Sequence, residues 1–151
     1  MKVADLVTTV TTPLGTSSWT EVTQEQITGF ADVTGDQQWI HVDPERAADS
    51  TFGGTIAHGY LLLSLVPLMV EEVMVLEDRR MGVNYGSNRL RFTGPVRAGT
   101  RVRGRLALLS GVRRPDGGVL STLELVLERE DGTPALVAEL LTLSYDAEQP
   151  A

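Results

Sequence analysis

The sequence predicts an α+β fold in which an antiparallel sheet wraps around one long helix. In the second half of the chain, polar and apolar residues alternate as in strands, and Asp-Gly turn signals occur at residues 116–118 and 131–132. The first half contains one long apolar stretch, residues 60–70, which only Ser64 and Pro67 interrupt. Because this stretch is apolar nearly all round, we expect a helix that is buried on nearly all sides.

Two short helices are predicted before the apolar one. Thr23 and Gln26 have the spacing of a capping box, so a helix is expected to begin after Thr23. Gly35 is a suitable residue to end it. Asp43 directly precedes Pro44, which is the residue pair expected at the start of a second short helix.

The strands of the second half are predicted from their alternation. Arginines within residues 89–91 and 101–105 alternate with apolar residues, so each set is expected to lie on one face of a strand. Residues 119–129 and 135–145 are rich in Val, Leu and Thr and are interpreted as two further long strands. The tail, residues 147–151, is expected to fray.

Composition excludes several classes of function. The chain has 151 residues, of which 42% are hydrophobic, and we interpret residues 1–151 as one domain. A formal net charge of −7 disfavours binding to nucleic acid or to anionic membranes, and residues 60–70 are too few to cross a bilayer. The absence of cysteine excludes disulfides, thiolate metal sites and a cysteine nucleophile; it fits a reducing compartment, and a cytoplasmic location is expected.

Positive charge is concentrated in one segment. Residues 79–114 contain ten arginines and no Asp or Glu, although the chain as a whole is acidic. One interpretation is a surface that binds a small anion. The other is a solvated strand face whose arginines pair with acidic residues elsewhere, and the sequence leaves both open.

Three residues of the first half are candidates for acid–base chemistry. The chain has two histidines, His41 and His58, and Asp36 lies five residues before the first of them. A carboxylate and an imidazole that meet at a loop can hold one water and move its proton near neutral pH. Alternatively, Asp36 only caps a turn and His41 is a buried imidazole with a satisfied hydrogen bond. The histidine spacing does not match a metal-binding motif, so no metal is predicted.

Gly59 is a candidate for binding a carbonyl oxygen. It lies at the predicted start of the apolar helix, where backbone N–H groups lack an intrahelical acceptor and the helix dipole is positive. A carbonyl oxygen on the Gly59 N–H would be polarised as in an oxyanion hole, although Gly59 is equally suited to relieving crowding at the helix start. Ser64 is a polar residue in the same helix, and its alternative role is a hydrogen bond to the carbonyl one turn earlier.

Two segments together resemble a known family. Residues 30–44 read FADVTGDQQWIHVDP, and residues 52–64 read FGGTIAHGYLLLS. They resemble the MaoC-like (R)-specific enoyl-CoA hydratases, which are also called 3-hydroxyacyl-thioester dehydratases, and in particular the nodulation protein N-like members with a single hot-dog domain. The likeness extends over roughly residues 10–145 and includes the segments at 84–86 and 89–92.

The resemblance implies a hot-dog fold and a set of site residues. The family's catalytic Asp and His correspond to Asp36 and His41, and the Gly N–H that holds the thioester oxygen corresponds to Gly59. The family's histidine directly before that glycine corresponds to His58, and a helix serine found in several members corresponds to Ser64.

The chain departs from the family motif at two positions. Many relatives have Asn and Pro between the Asp and the His, whereas this chain has Gln38 and Trp39. Gln38 retains an amide group on a longer side chain, and Trp39 is expected to alter the shape of the acyl pocket.

The resemblance also implies an activity. It implies (R)-specific hydration of a trans-2-enoyl-CoA to a (3R)-hydroxyacyl-CoA, and the reverse dehydration, without a cofactor. It further implies a homodimer whose two sheets join edge to edge. Arg89, Arg91 and Arg97 are then candidates to hold the phosphates of CoA.

Two other functions are considered for a hot-dog protein. Acyl-CoA thioesterases with this fold use a carboxylate on the central helix, where this chain has no acidic residue before Glu71 and Glu72. The chain is alternatively a non-catalytic subunit of a heteromeric dehydratase. Such a subunit would normally lack the Asp or the His, and this chain has both.

Overall fold

The computed structural model describes residues 1–147, and the predicted fraying of the tail falls almost wholly on residues outside this part. A short 3₁₀ helix spans Val3–Leu6. The helices are α1 (Gln24–Thr34), α2 (Trp39–Val42), α3 (Pro44–Ala48) and α4 (Gly59–Val73). The strands are β1 (Thr12–Thr16), β2 (Thr20–Val22), β3 (Arg79–Phe92), β4 (Thr100–Arg113), β5 (Val119–Arg129) and β6 (Pro134–Asp146).

The strands form one antiparallel sheet in the order β1-β4-β5-β6-β3. Strand β2 pairs with the first residues of β4, next to the segment of β4 that pairs with β1. The sheet therefore has β1 and β2 at one edge and β3 at the other. The α+β class and the two predicted hairpins, β4–β5 and β5–β6, are confirmed.

Helix α4 packs against one face of the sheet and forms the core with it. Buried side chains of α4, among them Leu62, Val66 and Met69, meet buried leucines of β4, β5 and β6. Gly104 on β4 allows this close approach, because a Cβ atom there would lie 3.3 Å from Met69 Cβ.

The expectation that α4 is buried on nearly all sides is wrong for the single chain. Tyr60 is 65% exposed and Leu68 is 73% exposed, and Ser64 lies between them on the same open face. The reason is that one sheet covers one side of a helix only. Edge strand β3 is open as well, since residues 81–89 are exposed along their whole length.

The predicted helix ends are confirmed in detail. Thr23 and Gln26 exchange both hydrogen bonds of a capping box at the start of α1. Gly35 ends α1 in the left-handed conformation, with φ of +79°. Asp43 caps α3 by accepting a hydrogen bond from the Arg46 N–H at 3.0 Å.

The arginine-rich segment mostly forms ion pairs. Seven of its ten arginines lie within 4.0 Å of a carboxylate, as expected for a solvated strand face: Arg79, Arg89, Arg101, Arg103, Arg105, Arg113 and Arg114. Among residues 1–147, Arg80, Arg91 and Arg97 have no such partner. The solvated-face interpretation therefore holds for these seven arginines, and binding of a small anion stays a prediction for the other three.

No helix in the described part of the chain is long and apolar enough to span a membrane.

Candidate active site

The loop between α1 and α2 presents Asp36. Gly35 ends α1, and its N–H donates to the Ala31 carbonyl at 2.8 Å. The next residue, Asp36, has an exposed side chain, while its backbone carbonyl lies 2.9 Å from His58 Nε2. Because a carbonyl only accepts, His58 Nε2 must carry a hydrogen, and this hydrogen bond ties the Asp36 loop to the start of α4.

His41 is held in one tautomer. It lies in α2 and is buried, with Nδ1 2.6 Å from the Ile56 carbonyl oxygen. Nδ1 is therefore the donor, and Nε2 carries the free lone pair of the neutral ring. Burial lowers the pKa of His41 below its ordinary value of 6.5, and the charge of His58 acts in the same direction; the hydrogen bond to Ile56 and the charge of Asp36 oppose this.

The ring of His58 packs against the face of the His41 ring. The two imidazoles are stacked, with ring centroids 3.7 Å apart and planes inclined by 26°. His58 is only 3% exposed, and the Phe30 ring lies 5.0 Å away from it. The structure thus brings Asp36, His41 and His58 together: a carboxylate oxygen and one nitrogen of each ring all lie within 4.8 Å of one another.

This cluster does not have the geometry of a zinc site. Tetrahedral zinc ligands at 2.0–2.1 Å from the metal lie roughly 3.3 Å from one another. Stacked imidazoles also direct their lone pairs within nearly parallel planes, so His41 and His58 cannot both point at one ion without rotating. That the site uses no metal stays a prediction.

Gly59 is the first residue of α4, where the backbone N–H groups lack intrahelical partners. The ring of Phe92 lies directly over its Cα, because a Cβ atom on Gly59 would lie 2.9 Å from three ring carbons. Phe92 also contacts Tyr60 edge to face at a centroid distance of 5.7 Å. Any side chain at position 59 would therefore displace Phe92 or the start of the helix.

The other predicted site residues, Gln38, Trp39 and Ser64, contact residues that are near them in the sequence. Ser64 donates to the Tyr60 carbonyl at 2.7 Å, which is the alternative considered from the sequence. Gln38 precedes α2 as its N-cap residue and makes no side-chain capping bond. Trp39 is half-buried beneath the guanidinium of Arg46, which lies 4.3 Å from its ring centroid.

The three candidate arginines are not brought together. Arg89 and Arg91 flank Leu90, which packs on the core, so they lie on the opposite face of the sheet, beside Glu124 and Glu139. Arg97 instead pairs through its backbone with Ile56, whose carbonyl holds the His41 ring.

The side chain of Arg97 lies against the glycine turn that precedes α4. One of its guanidinium nitrogens would be 3.3 Å from a Cβ atom on Gly53. Of the three candidates, Arg97 is therefore the one on the segment that leads to the site.

An apolar groove of about 260 Å³ runs between α4 and the strands β3 and β6. Leu63, Val66, Tyr85 and Leu140 contribute to its walls. The sequence does not predict this groove, because it forms between elements that are distant along the chain.

Gln24 is a further site residue that was not predicted from the sequence. Its side-chain amide donates to the His41 carbonyl at 2.9 Å. In the sequence it is only the first residue after a helix cap, and no local pattern shows which segment its side chain reaches.

The acidic residues of α4 are engaged in structural contacts. Glu71 forms an ion pair with Arg79. Glu72 accepts hydrogen bonds from the Ser18 N–H at 2.8 Å and from its hydroxyl at 2.9 Å. Neither carboxylate lies at the start of α4, where Asp36 and His58 meet.

Comparison with known proteins decides the family. The profile of the MaoC like domain matches residues 5–122. The chain belongs to the MaoC-like dehydratase family. This MaoC-like chain is 44% identical over 138 residues to 3-hydroxyacyl-thioester dehydratase Z of Mycobacterium tuberculosis, covering 91% of each protein. It is also 44% identical over 146 residues to nodulation protein N of Rhizobium leguminosarum bv. viciae, covering 95% of this chain and 91% of that protein.

Solved structures confirm the predicted hot-dog fold of the MaoC-like chain. A MaoC-like dehydratase from Rhodospirillum rubrum superposes with a TM-score of 0.77 at 22% identity, covering 100% of this chain and 99% of that one. The (R)-hydratase from A. caviae involved in PHA biosynthesis gives a TM-score of 0.70 at 23% identity, covering 85% and 94%. The family resemblance deduced from residues 30–44 and 52–64 is confirmed by the MaoC like profile and by the 44% identical relatives.

Proposed function

We propose that this MaoC-like protein catalyses the (R)-specific hydration of trans-2-enoyl-CoA thioesters and the reverse dehydration of (3R)-hydroxyacyl-CoA. The observation that carries the proposal is the pairing of an exposed carboxylate, Asp36, with a buried neutral imidazole, His41. His41 Nδ1 donates a hydrogen bond to the Ile56 carbonyl, so Nε2 is the basic nitrogen that can accept a proton. The dehydratases among its relatives agree with this chemistry.

In the proposed mechanism, the thioester carbonyl oxygen accepts a hydrogen bond from the Gly59 N–H at the positive end of α4. This draws electron density from the β-carbon of the enoyl group. Asp36 and His41 hold a water between them, and His41 Nε2 takes one of its protons as the oxygen attacks the β-carbon. The proton that His41 Nε2 has taken is then returned to the α-carbon, so the elements of water add across the double bond, His41 is neutral again and no cofactor is required.

The acyl chain is assigned to the apolar groove beside α4. Its lining of Leu63, Val66, Tyr85 and Leu140 suits a hydrocarbon chain, which gains free energy on leaving water. The product and chain-length range are tested by incubating the protein with enoyl-CoAs from crotonyl-CoA upwards and determining the chirality of the hydroxyacyl product. A (3S) product or no hydration would contradict the proposal. Release of the free CoA thiol without hydration would indicate a thioesterase instead, although Glu71 and Glu72 are occupied by structural partners.

Arg97 is proposed to bind a phosphate of CoA. We expect Arg97→Ala to raise KM for crotonyl-CoA roughly 10- to 100-fold and to leave kcat unchanged, because a charge-assisted hydrogen bond contributes roughly 1.5–3 kcal/mol. The difference is expected to shrink as salt is added. Initial rates measured across substrate and salt concentrations check this result.

Arg91→Ala is the matched control for Arg97→Ala. Arg91 also lacks a carboxylate partner in the described part of the chain, but it lies on the opposite face of the sheet. An equal rise in KM for both variants would show that the effect is general electrostatics and would contradict the assignment of Arg97.

We further propose that two copies form a dimer through edge strand β3 and the open face of α4. Exposed apolar side chains lie on both elements: Tyr60, Leu68, Met81, Val83 and Tyr85. An exposed edge strand next to an apolar helix face is unfavourable in water, and pairing two such edges covers both.

Val83→Lys is expected to convert the dimer into a monomer, since the lysine places a charge in the pairing edge of β3. Light scattering coupled to size-exclusion chromatography measures the mass. Val112→Lys is the control, because Val112 is 62% exposed on β4, away from that edge. A wild-type protein of monomer mass would contradict the proposed dimer.

A further inference from the structure

The side chain of Gln24 connects two segments that hold His41. Gln24 is half-buried at the first position of α1. Its Nε2 donates to the His41 carbonyl at 2.9 Å and lies 3.3 Å from Thr28 Oγ1. Its Oε1 accepts a hydrogen bond from the hydroxyl of Thr55, a residue that is only 6% exposed. Both ends of the amide are therefore used, each by a different segment of the chain.

These contacts close a ring of interactions around His41. Thr55 is followed by Ile56, whose carbonyl accepts the His41 Nδ1–H at 2.6 Å. The Ile56 N–H in turn donates to the Ile40 carbonyl at 2.9 Å. Gln24 therefore fixes the backbone of His41 with one end of its amide, and with the other end it fixes the residue next to the acceptor of the His41 ring.

We propose that Gln24 is a positioning residue that maintains the Nδ1–H tautomer of His41 and thereby keeps Nε2 free to act as a base. The Ile56 carbonyl favours this tautomer only while it stays within hydrogen-bond distance of the ring, and hydrogen bonds weaken steeply as distance and angle depart from the optimum. Gln24 holds the two segments at that distance. The catalytic part of this inference rests on the proposed function, whereas the tautomer does not.

Gln24→Leu is the principal test, because it removes the hydrogen bonds of the side chain to Thr28, His41 and Thr55. Nitrogen-15 NMR of the histidine side chains reports the tautomer without any substrate. We expect wild-type His41 to show a protonated Nδ1 and a bare Nε2, and the variant to show a mixture with protonated Nε2. We also expect kcat for crotonyl-CoA hydration to fall about 10- to 100-fold, with KM nearly unchanged, because the base is misplaced while the binding surfaces remain.

Two further variants make the test decisive. Gln24→Glu retains an oxygen for the Thr55 hydroxyl but cannot donate to the His41 carbonyl, so it is expected to show the same tautomer change. It decides the question if Gln24→Leu does not fold. Gln26→Leu is the control, since Gln26 lies on the same helix and its side chain bonds the Thr23 N–H. It is expected to retain both the tautomer and kcat.

The outcomes separate this inference from the proposed function. A wild-type tautomer in both Gln24 variants would overturn the inference, whatever the activity. A changed tautomer with an unchanged kcat would overturn the catalytic part of it. A changed tautomer together with a wild-type protein that hydrates no enoyl thioester would support the positioning role of Gln24 and contradict the proposed function alone.

Discussion

Replacing Asp36 with Asn or His41 with Ala is expected to lower kcat/KM for crotonyl-CoA hydration by roughly 10²–10⁴-fold each, which is the usual contribution of a general acid or base. In the proposed mechanism both groups act on one water, so the double variant is expected to be only slightly less active than the less active of the two single variants. Hydration rates measured by the loss of the enoyl absorbance give these values. Near wild-type activity in both single variants would show that neither residue takes part in the reaction.

Gln37→Ala is the control for these two variants. Gln37 is exposed directly beside Asp36, and its side chain bonds Asp32 at 2.8 Å and not His41. A loss of activity in this variant equal to that of Asp36→Asn would indicate that the loop conformation, and not the carboxylate, accounts for the effect.

The pH profile provides a second check on His41. Its pKa is lowered by burial, so the neutral, basic form persists to lower pH than free imidazole allows. The acidic limb of kcat/KM is therefore expected below pH 6.5. The same shift means that the unfolded chain binds more protons just below pH 6.5, so His41 is expected to make the fold less stable as the pH falls there. An acidic limb above pH 6.5 would contradict the assignment.

Gly59→Ala is expected to lower kcat/KM by roughly 10²-fold, the cost of losing one donor of an oxyanion hole. The added Cβ would lie 2.9 Å from the ring of Phe92. Since this contact is too close, either the ring or the first turn of α4 must move, and a shift of that turn would displace the Gly59 N–H from the proposed position of the thioester oxygen. Steady-state kinetics and thermal unfolding of the variant check both consequences.

A second change tests the cause of this loss. In a Phe92→Ala background the added methyl group meets no ring, so Gly59→Ala is expected to cost much less activity there than in the wild type. Gly29→Ala is the control, because Gly29 lies within α1 and a Cβ atom there meets nothing within 4 Å. An equal loss in both backgrounds would mean that substrate itself, and not Phe92, requires glycine at this position.

The elements that the sequence predicts correctly are those that a few neighbouring residues decide. The capping box of Thr23 and Gln26, the helix end at Gly35 and the two Asp-Gly hairpins all depend on contacts within a few residues. The long strands β5 and β6 were predicted nearly to the residue for the same reason. Strands β1 and β2 and helix α2 were not predicted, because they span only three to five residues and depend on their partners in the fold.

The candidate site was predicted in part. Residues 36, 41 and 58 could be selected because their spacing matches a family motif, and the structure brings them together. Which nitrogen of His41 is free could not be predicted, since Ile56 and Gln24 decide it across 15 and 17 residues of chain. The contacts of the arginines could not be predicted from the sequence either. Ten arginines occur in one segment, but strand pairing places most of them beside carboxylates. It also separates Arg97 from Arg89 and Arg91.

The sequence by itself therefore determined the α+β class, the helix caps, the hairpins and the choice of Asp36 and His41 as the candidate acid–base pair. Each of these depends on local backbone preference or on a motif of adjacent residues. Only the tertiary structure decided that one side of α4 is open, that Phe92 covers Gly59, and that Gln24 reaches His41. These features arise from contacts between segments distant in the chain, and such contacts exist only once the sheet has closed over the helix.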